Sequence, residues 1–461
     1  MAAKIRVTLV LFANFFLLYF CSTLMAKTDR IEHYPNFLII VLDAVRFDFT
    51  SLSNPNIGHT PFLAKLAKDG KIFNFSSTYS TYDETLPSHF SLMSGFITGF
   101  QSAWDLRQAS LAYHLKTLGY ETFGISANPN ISQKTMASFS AFEKFANLGE
   151  LWDSISPEEK DKIAETLDKR ILAYAGVINN WNRYCVFCSG NKALAFFRDY
   201  IKNGGTPFLG FINLFDAHDP YYPDERFYNI DEEEALFKIK AEGDLRSREL
   251  PEDQIHPDLI KDETKRQIVK NRLEIAKDRA WCLADDLSAD AMEIYKRRYA
   301  AEIRELDDYL RQIFEYLEKR DLLSSTIIFL TSDHGESFGE EGFLTHSLSN
   351  QGDRESTHRV PLAIYFPKKY KLKGKNISVL ASLADIAPTI YDLLGVNWIP
   401  LANMSFVGNY GKSLVPYIFQ SFDFRHDKEI KIEKIGPEDP SEIEKRKAEA
   451  LKRLRSLGYI R

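Results

Sequence analysis

Phe37-Leu38-Ile39-Ile40-Val41-Leu42-Asp43 is the stretch from which the fold can be read. Six apolar residues in a row suit a strand covered on both faces, as in a parallel sheet lying between helices. Alternation would instead mark a strand with one wet face. The same form recurs from Pro207 to Phe215, from Thr326 to Thr331 and from Val360 to Phe366, and Glu121 to Ser126 reads as a further strand. Helical patterns fall between them. Thr60 and Pro61 open a helix closed by Gly70, and Leu111 to Leu118 is a second. Tyr295, Tyr299, Ile303, Leu306, Leu310 and Ile313 mark the buried stripe of a long third. Alternating strands and helices predict an α/β domain with a mostly parallel central sheet.

In such sheets ligands bind beyond the C-terminal ends of the strands. Asp43 ends the first run, Asp216 and His218 follow the second, and Asp333 and His334 follow the third. The stretch Asp83-Glu84-Thr85-Leu86-Pro87-Ser88-His89, running on to Gly95, reads as a loop entering a short helix. Pro87 is favoured at a first helical position, which puts Thr85 just before a helix N-terminus, where an anion is stabilised. Taken alone, a Thr there is equally a capping residue. Asp43, Asp333 and His334 offer two carboxylates and an imidazole, a donor set for zinc or manganese, with calcium the alternative. One or two divalent ions are therefore expected. Thr85 would complete the coordination and act as nucleophile, its hydroxyl pKa lowered by the cation. His218 and His346 would hold a second ion or touch the anionic group directly. Asp43, Thr85, Asp333, His334, His218 and His346 are thus the expected site, with Thr85, His218 and His346 in catalytic roles.

The chain has 461 residues, enough for one large core or two ordinary ones, and a formal net charge of −6, which gives nucleic-acid binding no support. Four cysteines cannot form a disulfide framework, and Cys185 and Cys188 make a Cys-x-x-Cys pair with no second pair at zinc-site spacing. Val7 to Met25 is a mostly apolar run preceded by Lys4 and Arg6. It is long enough to cross a bilayer, which takes roughly 17–25 residues. A single N-terminal transmembrane helix within residues 1–30 is expected, with a cleaved signal as the alternative. Either places the remaining chain outside the cytoplasm.

Several motifs, in order, carry a resemblance. They are Leu42-Asp43-Ala44-Val45-Arg46, the Thr85 to Gly95 loop, Phe215-Asp216-Ala217-His218-Asp219-Pro220-Tyr221, Thr331-Ser332-Asp333-His334-Gly335-Glu336-Ser337 with His346, and Arg359-Val360-Pro361-Leu362. Leu383-Ala384-Asp385-Ile386-Ala387-Pro388-Thr389 and Gly411-Lys412-Ser413-Leu414 follow. Residues 35–417 resemble the alkaline phosphatase superfamily on its sulfatase-like branch. The resemblance implies a three-layer α/β/α sandwich. It also implies metal ligation by Asp43, Asp333 and His334, a nucleophile at Thr85, and second-metal or substrate contacts at His218 and His346. Two departures matter. Sulfatases of this kind usually carry Cys or Ser, oxidised to formylglycine, where Thr85 stands, and Thr cannot give that aldehyde. They often place Arg where this chain has His89. The Thr-x-Pro-Ser-His pattern is instead similar to the nucleotide pyrophosphatase/phosphodiesterase branch, which uses unmodified Thr.

The expected organisation is an anchor over 1–30, a catalytic domain over 31–417 with charged insertions near 147–190 and 225–290, and a charged tail over 418–461 ending in a helix. The insertions read mainly as solvated faces, although the second could wall the site. The expected function is hydrolysis of phosphate or phosphonate esters through a covalent Thr85 intermediate. The alternatives are a sulfatase, a phosphoethanolamine- or phosphoglycerol-type transferase acting on surface glycans or lipids, and a non-catalytic binding protein. The partners expected are an anionic ester, possibly on a glycan or lipid, and the membrane. Asn74, Asn130, Asn376 and Asn403 stand in glycosylation triplets, used only in a eukaryotic secretory pathway.

Overall fold

A computed structural model describes residues 34–97, 109–163, 180–201, 207–219, 221–228, 289–340, 344–346, 355–398, 409–419 and 428–430. Eight strands form the central sheet. They are β1 (Asn36–Leu42), β2 (Ile72–Tyr79), β3 (Glu121–Ser126), β4 (Lys144–Asn147), β5 (Phe208–Leu214), β6 (Thr326–Thr331), β7 (Leu362–Tyr365) and β8 (Asn376–Ser382). Their spatial order is β8-β2-β7-β6-β1-β5-β3-β4. β1 lies at the centre, parallel to β5 and β6. Every neighbouring pair is parallel except those of β7, which runs antiparallel to both β2 and β6. The apolar run at Val360 to Phe366 reported burial correctly but says nothing of direction. Leu362, the first residue of β7, pairs with Thr331, the last of β6, so β7 starts from the edge where β6 ends and must return.

The expected mostly parallel sheet is present, with helices on both faces. Successive residues of β1 point to opposite sides. Phe37, Ile39 and Val41 enter one apolar cluster with residues of α2 (Thr85–Ser94), α3 (Leu111–Thr117) and α6 (Ile386–Leu393). Leu38, Ile40 and Leu42 enter another with residues of α1 (Pro61–Lys68), α4 (Gly190–Tyr200) and α5 (Ala289–Lys319). The side chains of β1 are at most 1% exposed from Phe37 to Leu42. Burying each such side chain is worth about 1.5–3 kcal/mol, which is why an unbroken apolar run is stable only at the middle of the sheet.

Two expectations change. α2 begins at Thr85 itself, with Glu84 as N-cap, so Pro87 is its third residue. Proline is tolerated there because the N–H groups of a first turn have no intrahelical acceptor. The described part of residues 147–190 is also less uniformly solvated than its charge suggests. Trp152, Tyr184, Phe187 and Cys188 form a third buried cluster with Phe215, while Cys185 is half-buried and packs against it. Burial pushes the Cys188 thiol pKa well up, the behaviour of a packing residue. Asn74 and Asn130 are 2% and 3% exposed, inside the fold rather than at its surface.

Among the described residues no helix is long and apolar enough to cross a membrane. Val7 to Met25, most of 225–290, Asn403 and the expected C-terminal helix lie outside them.

Candidate metal-centred active site

The strand ends converge as the topology requires. β1 delivers Asp43 and β6 delivers Asp333 and His334, while α2, reached from β2, delivers Thr85. One ligand atom from each of Asp43, Asp333 and His334 lies within 4.8 Å of the others, and all three residues are fully buried. Thr85 Oγ1 stands 3.3 Å from His334 Nε2. The His346 ring lies 4.1 Å from that of His334, and the His218 ring 4.9 Å from that of His346, centroid to centroid. All six expected residues therefore gather in one place.

The backbone is bent to achieve this. Ala44 (φ 61°) and Thr345 (φ 61°), each adjoining a site residue, occupy the left-handed region. That costs roughly 1–2 kcal/mol for a residue with a side chain. Ala44 is held by its N–H donating to Asp333 Oδ1 (3.1 Å) and its carbonyl accepting from the Tyr299 hydroxyl (2.7 Å). Gly335 is required by close approach, since a Cβ there would fall on the Ser356 carbonyl oxygen. The Ser80 hydroxyl contacts Ser88 Oγ (2.9 Å) and the Asp333 carbonyl, tying α2 to the end of β6. Behind α2, Leu383 and Ile386 share its core cluster, and Gly411 N–H donates to Gly95 O at the end of the helix (2.8 Å).

The carboxylates are arranged for a cation. Asp43 Oδ2 accepts from Asn128 Nδ2 (2.8 Å) and Asn213 Nδ2 (3.0 Å), while its Oδ1 is buried without a hydrogen-bond partner among the described residues. Asp333 Oδ1 accepts from the N–H groups of Ala44 (3.1 Å) and His334 (3.0 Å), while its Oδ2 is buried without one among the same residues. Burial, then the charge of Asp333, pushes the Asp43 pKa up to about 7, and burial does the same to Asp333. Two buried carboxylates, each with one oxygen held and one unsatisfied, are costly unless a positive charge sits between them. The donor set thus fits a divalent metal on its own geometry.

The imidazoles share one orientation. Nδ1 of His334 bonds Gly335 O (2.9 Å), Nδ1 of His218 bonds Asp219 O (2.6 Å), and Nδ1 of His346 bonds Glu336 Oε1 (3.0 Å). Each acceptor fixes the Nδ1–H tautomer and so puts the lone pair of the ring on Nε2. Burial lowers the His218 pKa to about 4, so it is neutral at pH 7. His89, one turn into α2, bonds Thr85 O through its Nδ1 (2.8 Å), and that Nδ1 lies 3.5 Å from Asp333 Oδ2. Burial brings the His89 pKa down to about 3.

Asn128, Asn213, Ser80, Glu336 and His89 were not read as site residues from the sequence. For Asn213 a signal existed, a polar residue inside an otherwise apolar strand. For Asn128 there was none, because its contact with Asp43 spans 85 residues.

The sulfatase family profile matches residues 35–396. The chain is 24% identical over 381 residues to the choline-sulfatase of Rhizobium meliloti (strain 1021), covering 79% of this chain and 68% of that one. It is 36% identical over 102 residues to the N-acetylglucosamine-6-O-sulfatase of Bacteroides thetaiotaomicron, a match spanning 22% of this chain and only 17% of that relative's length. Among solved structures, the phosphonate monoester hydrolase of Agrobacterium radiobacter superposes with a TM-score of 0.54 at 18% identity, over 83% of this chain and 77% of that one, a likeness of fold. With the profile spanning the sheet and every strand end that builds the site, the chain belongs to the sulfatase family of hydrolases, within the alkaline phosphatase-like superfamily.

Proposed function

We propose that the protein is a metal-dependent hydrolase of phosphate or phosphonate esters, with Thr85 as an unmodified nucleophile. The observation that carries this reading is Thr85 Oγ1, the first-turn hydroxyl of α2, set 3.3 Å from His334 Nε2 beside the two half-satisfied carboxylates. Asp43, Asp333, His334 and Thr85 would hold one divalent ion, zinc or manganese suiting the imidazole better than calcium. When bound, that ion supplies the positive charge that favours the Thr85 alkoxide and neutralises the anionic ester.

The remaining work falls to the chain. The contact with His334 orients the Thr85 hydroxyl, and the N-terminus of α2 presents backbone N–H groups to the anionic group. Thr85 Oγ1 forms the new bond to phosphorus as the ester alcohol departs, and water later cleaves the Thr85–phosphoryl bond. His346 and His218, their Nδ1 atoms held, turn Nε2 toward the transferring group, where they contact its oxygens or take a second ion. Asn128 and Asn213 hold Asp43, and Ser80 holds the Asp333 loop.

Sulfate-ester hydrolysis is the competing reading, favoured by the sulfatases among the relatives. Thr85 weighs against it, because the aldehyde-forming residue of the family is missing. We also propose that Val7 to Met25 anchors the chain in a membrane and that residues 31–417 form the catalytic domain outside the cytoplasm. The function is tested with Thr85→Ala in the full-length protein. Turnover should disappear while the fold persists and metal content, still held by Asp43, Asp333 and His334, is largely kept, and wild type pulsed with substrate should gain a phosphoryl mass on Thr85. Full activity in the variant would overturn the proposal.

A further inference from the structure

Two loops at the sheet edge opposite the site carry a concentration of lysine that a net charge of −6 does not foreshadow. Lys65, Lys68 and Lys71 lie from the end of α1 to the entry of β2, and Lys368, Lys369, Lys371, Lys373 and Lys375 lie between β7 and β8. All of them are exposed. Asp69 is the one acidic residue within segments 65–71 and 368–375.

The array is fixed in place. Gly374 N–H donates to Gly70 O (2.8 Å) and Asn74 N–H to Lys375 O (3.0 Å), so the two loops are bound together. Tyr370 and Leu372 pack against the core cluster, which turns the lysines alternating with them outward. Lys371 sits at φ 54°, a conformation glycine would adopt more cheaply, yet the position carries a charged side chain. Lys65, Lys71, Lys368 and Lys373 line one shared groove. Most of the acid in that groove is engaged: Asp307 accepts from the N–H groups of Phe62 and Leu63, and Asp308 and Glu315 pair with Arg311.

The position of this edge sets its partner. β1 starts here, with Asn36 N–H donating to Ser325 O (2.9 Å), and the described chain begins two residues earlier at Tyr34. Only residues 26–33 separate Tyr34 from the apolar run that ends at Met25, a span of at most ~28 Å. Resting on the membrane-anchored reading above, we propose that this lysine edge docks on anionic lipid headgroups of the membrane holding the N-terminal segment. The seven residues of β1 then lift Asp43 and its partners roughly 23 Å from the docking edge, facing away from the bilayer. The substrate class follows: an ester on a soluble molecule or a glycan standing off the membrane, rather than a lipid headgroup of the same leaflet.

The test uses full-length protein reconstituted into phosphatidylcholine vesicles with or without phosphatidylglycerol, read by lysine acetylation with a membrane-impermeant reagent and mass spectrometry. Lys368 to Lys375 should be labelled at least ~3-fold more slowly on the anionic vesicles, given roughly 5-fold in membrane partition per lysine at an anionic surface. The protection should vanish near ~0.5 M salt, where screening lengths fall to a few ångströms. Lys134, beyond the C-terminal end of β3, should be labelled equally on both. The triple variant Lys369→Glu, Lys371→Glu, Lys373→Glu should lose the protection and keep its rate on a soluble ester. Equal labelling on both vesicles would overturn the proposal, as would protection by a soluble polysulfated glycan but not by lipid. Release of the protein from neutral vesicles would refute the anchor alone, since phosphatidylglycerol-dependent protection is scored separately.

Discussion

Replacing Asn128 with Ala should weaken metal binding without dismantling the site. Its side-chain amide donates to Asp43 Oδ2 at 2.8 Å, and both residues are fully buried. A hydrogen bond to a charged group is worth about 1.5–3 kcal/mol when its partner is deleted. In Asn128→Ala, Asp43 keeps the Asn213 amide at 3.0 Å, so the carboxylate loses one of two tethers and is free to turn. Losses of that size correspond to roughly 10–100-fold in affinity, the range expected when a residue that orients a metal ligand is removed. Competition for zinc against a chromophoric chelator reads the affinity, and urea unfolding of the metal-free protein reads the cost to the fold. Unchanged zinc affinity in a folded Asn128→Ala protein would refute the assignment of Asp43 as a ligand.

Two further outcomes are expected. Chelation should inactivate the enzyme, with zinc or manganese restoring it better than calcium, and His334→Asn should weaken zinc binding far more than calcium binding; a site preferring calcium before and after would contradict the donor assignment. Asp307, on α5, accepts from the N–H groups of Phe62 (2.7 Å) and Leu63 (3.1 Å) and so caps α1 from a distance, while burial pushes its pKa up to about 7. A carboxyl raised in the folded state stabilises it most at low pH. Denaturant titrations should therefore show stability falling by up to about 4 kcal/mol between pH 4 and 7, a slope that Asp307→Asn flattens and that an equal slope in the variant would disprove.

Much of the fold was legible because burial on both faces leaves an unmistakable mark. Glu121 to Ser126 and Thr326 to Thr331 match β3 and β6 residue for residue. β2 escaped notice because it carries Asn74 and Ser76 to Thr78, with Asn74 turned to Leu52 O and the Asn376 side chain. β8 escaped because an edge strand need not be apolar, and its Leu380 is 75% exposed. The direction of β7 was hidden for a different reason, since side-chain burial is blind to chain polarity. At the site, groups borne on strand ends were found and the residues that orient them were missed. Ligand chemistry shows in residue type, whereas Asn128 and Glu336 matter only through partners that the fold brings to them.

The most direct measurement is the ratio of kcat/KM for matched phosphate, phosphonate and sulfate esters of one alcohol, taken with the metal-loaded full-length protein. A phosphate monoester brings two negative charges and a sulfate ester one. A site with a divalent ion, or with His218 and His346 turned toward the transferring group, acts where that charge is redistributed. Thr85 provides no aldehyde hydrate through which sulfate could be expelled. Phosphate or phosphonate esters should be cleaved at least ~100-fold faster than the sulfate, about 2.7 kcal/mol in barrier. The ratio should narrow when His218 and His346 are replaced by Ala. A preference for the sulfate ester would contradict the account.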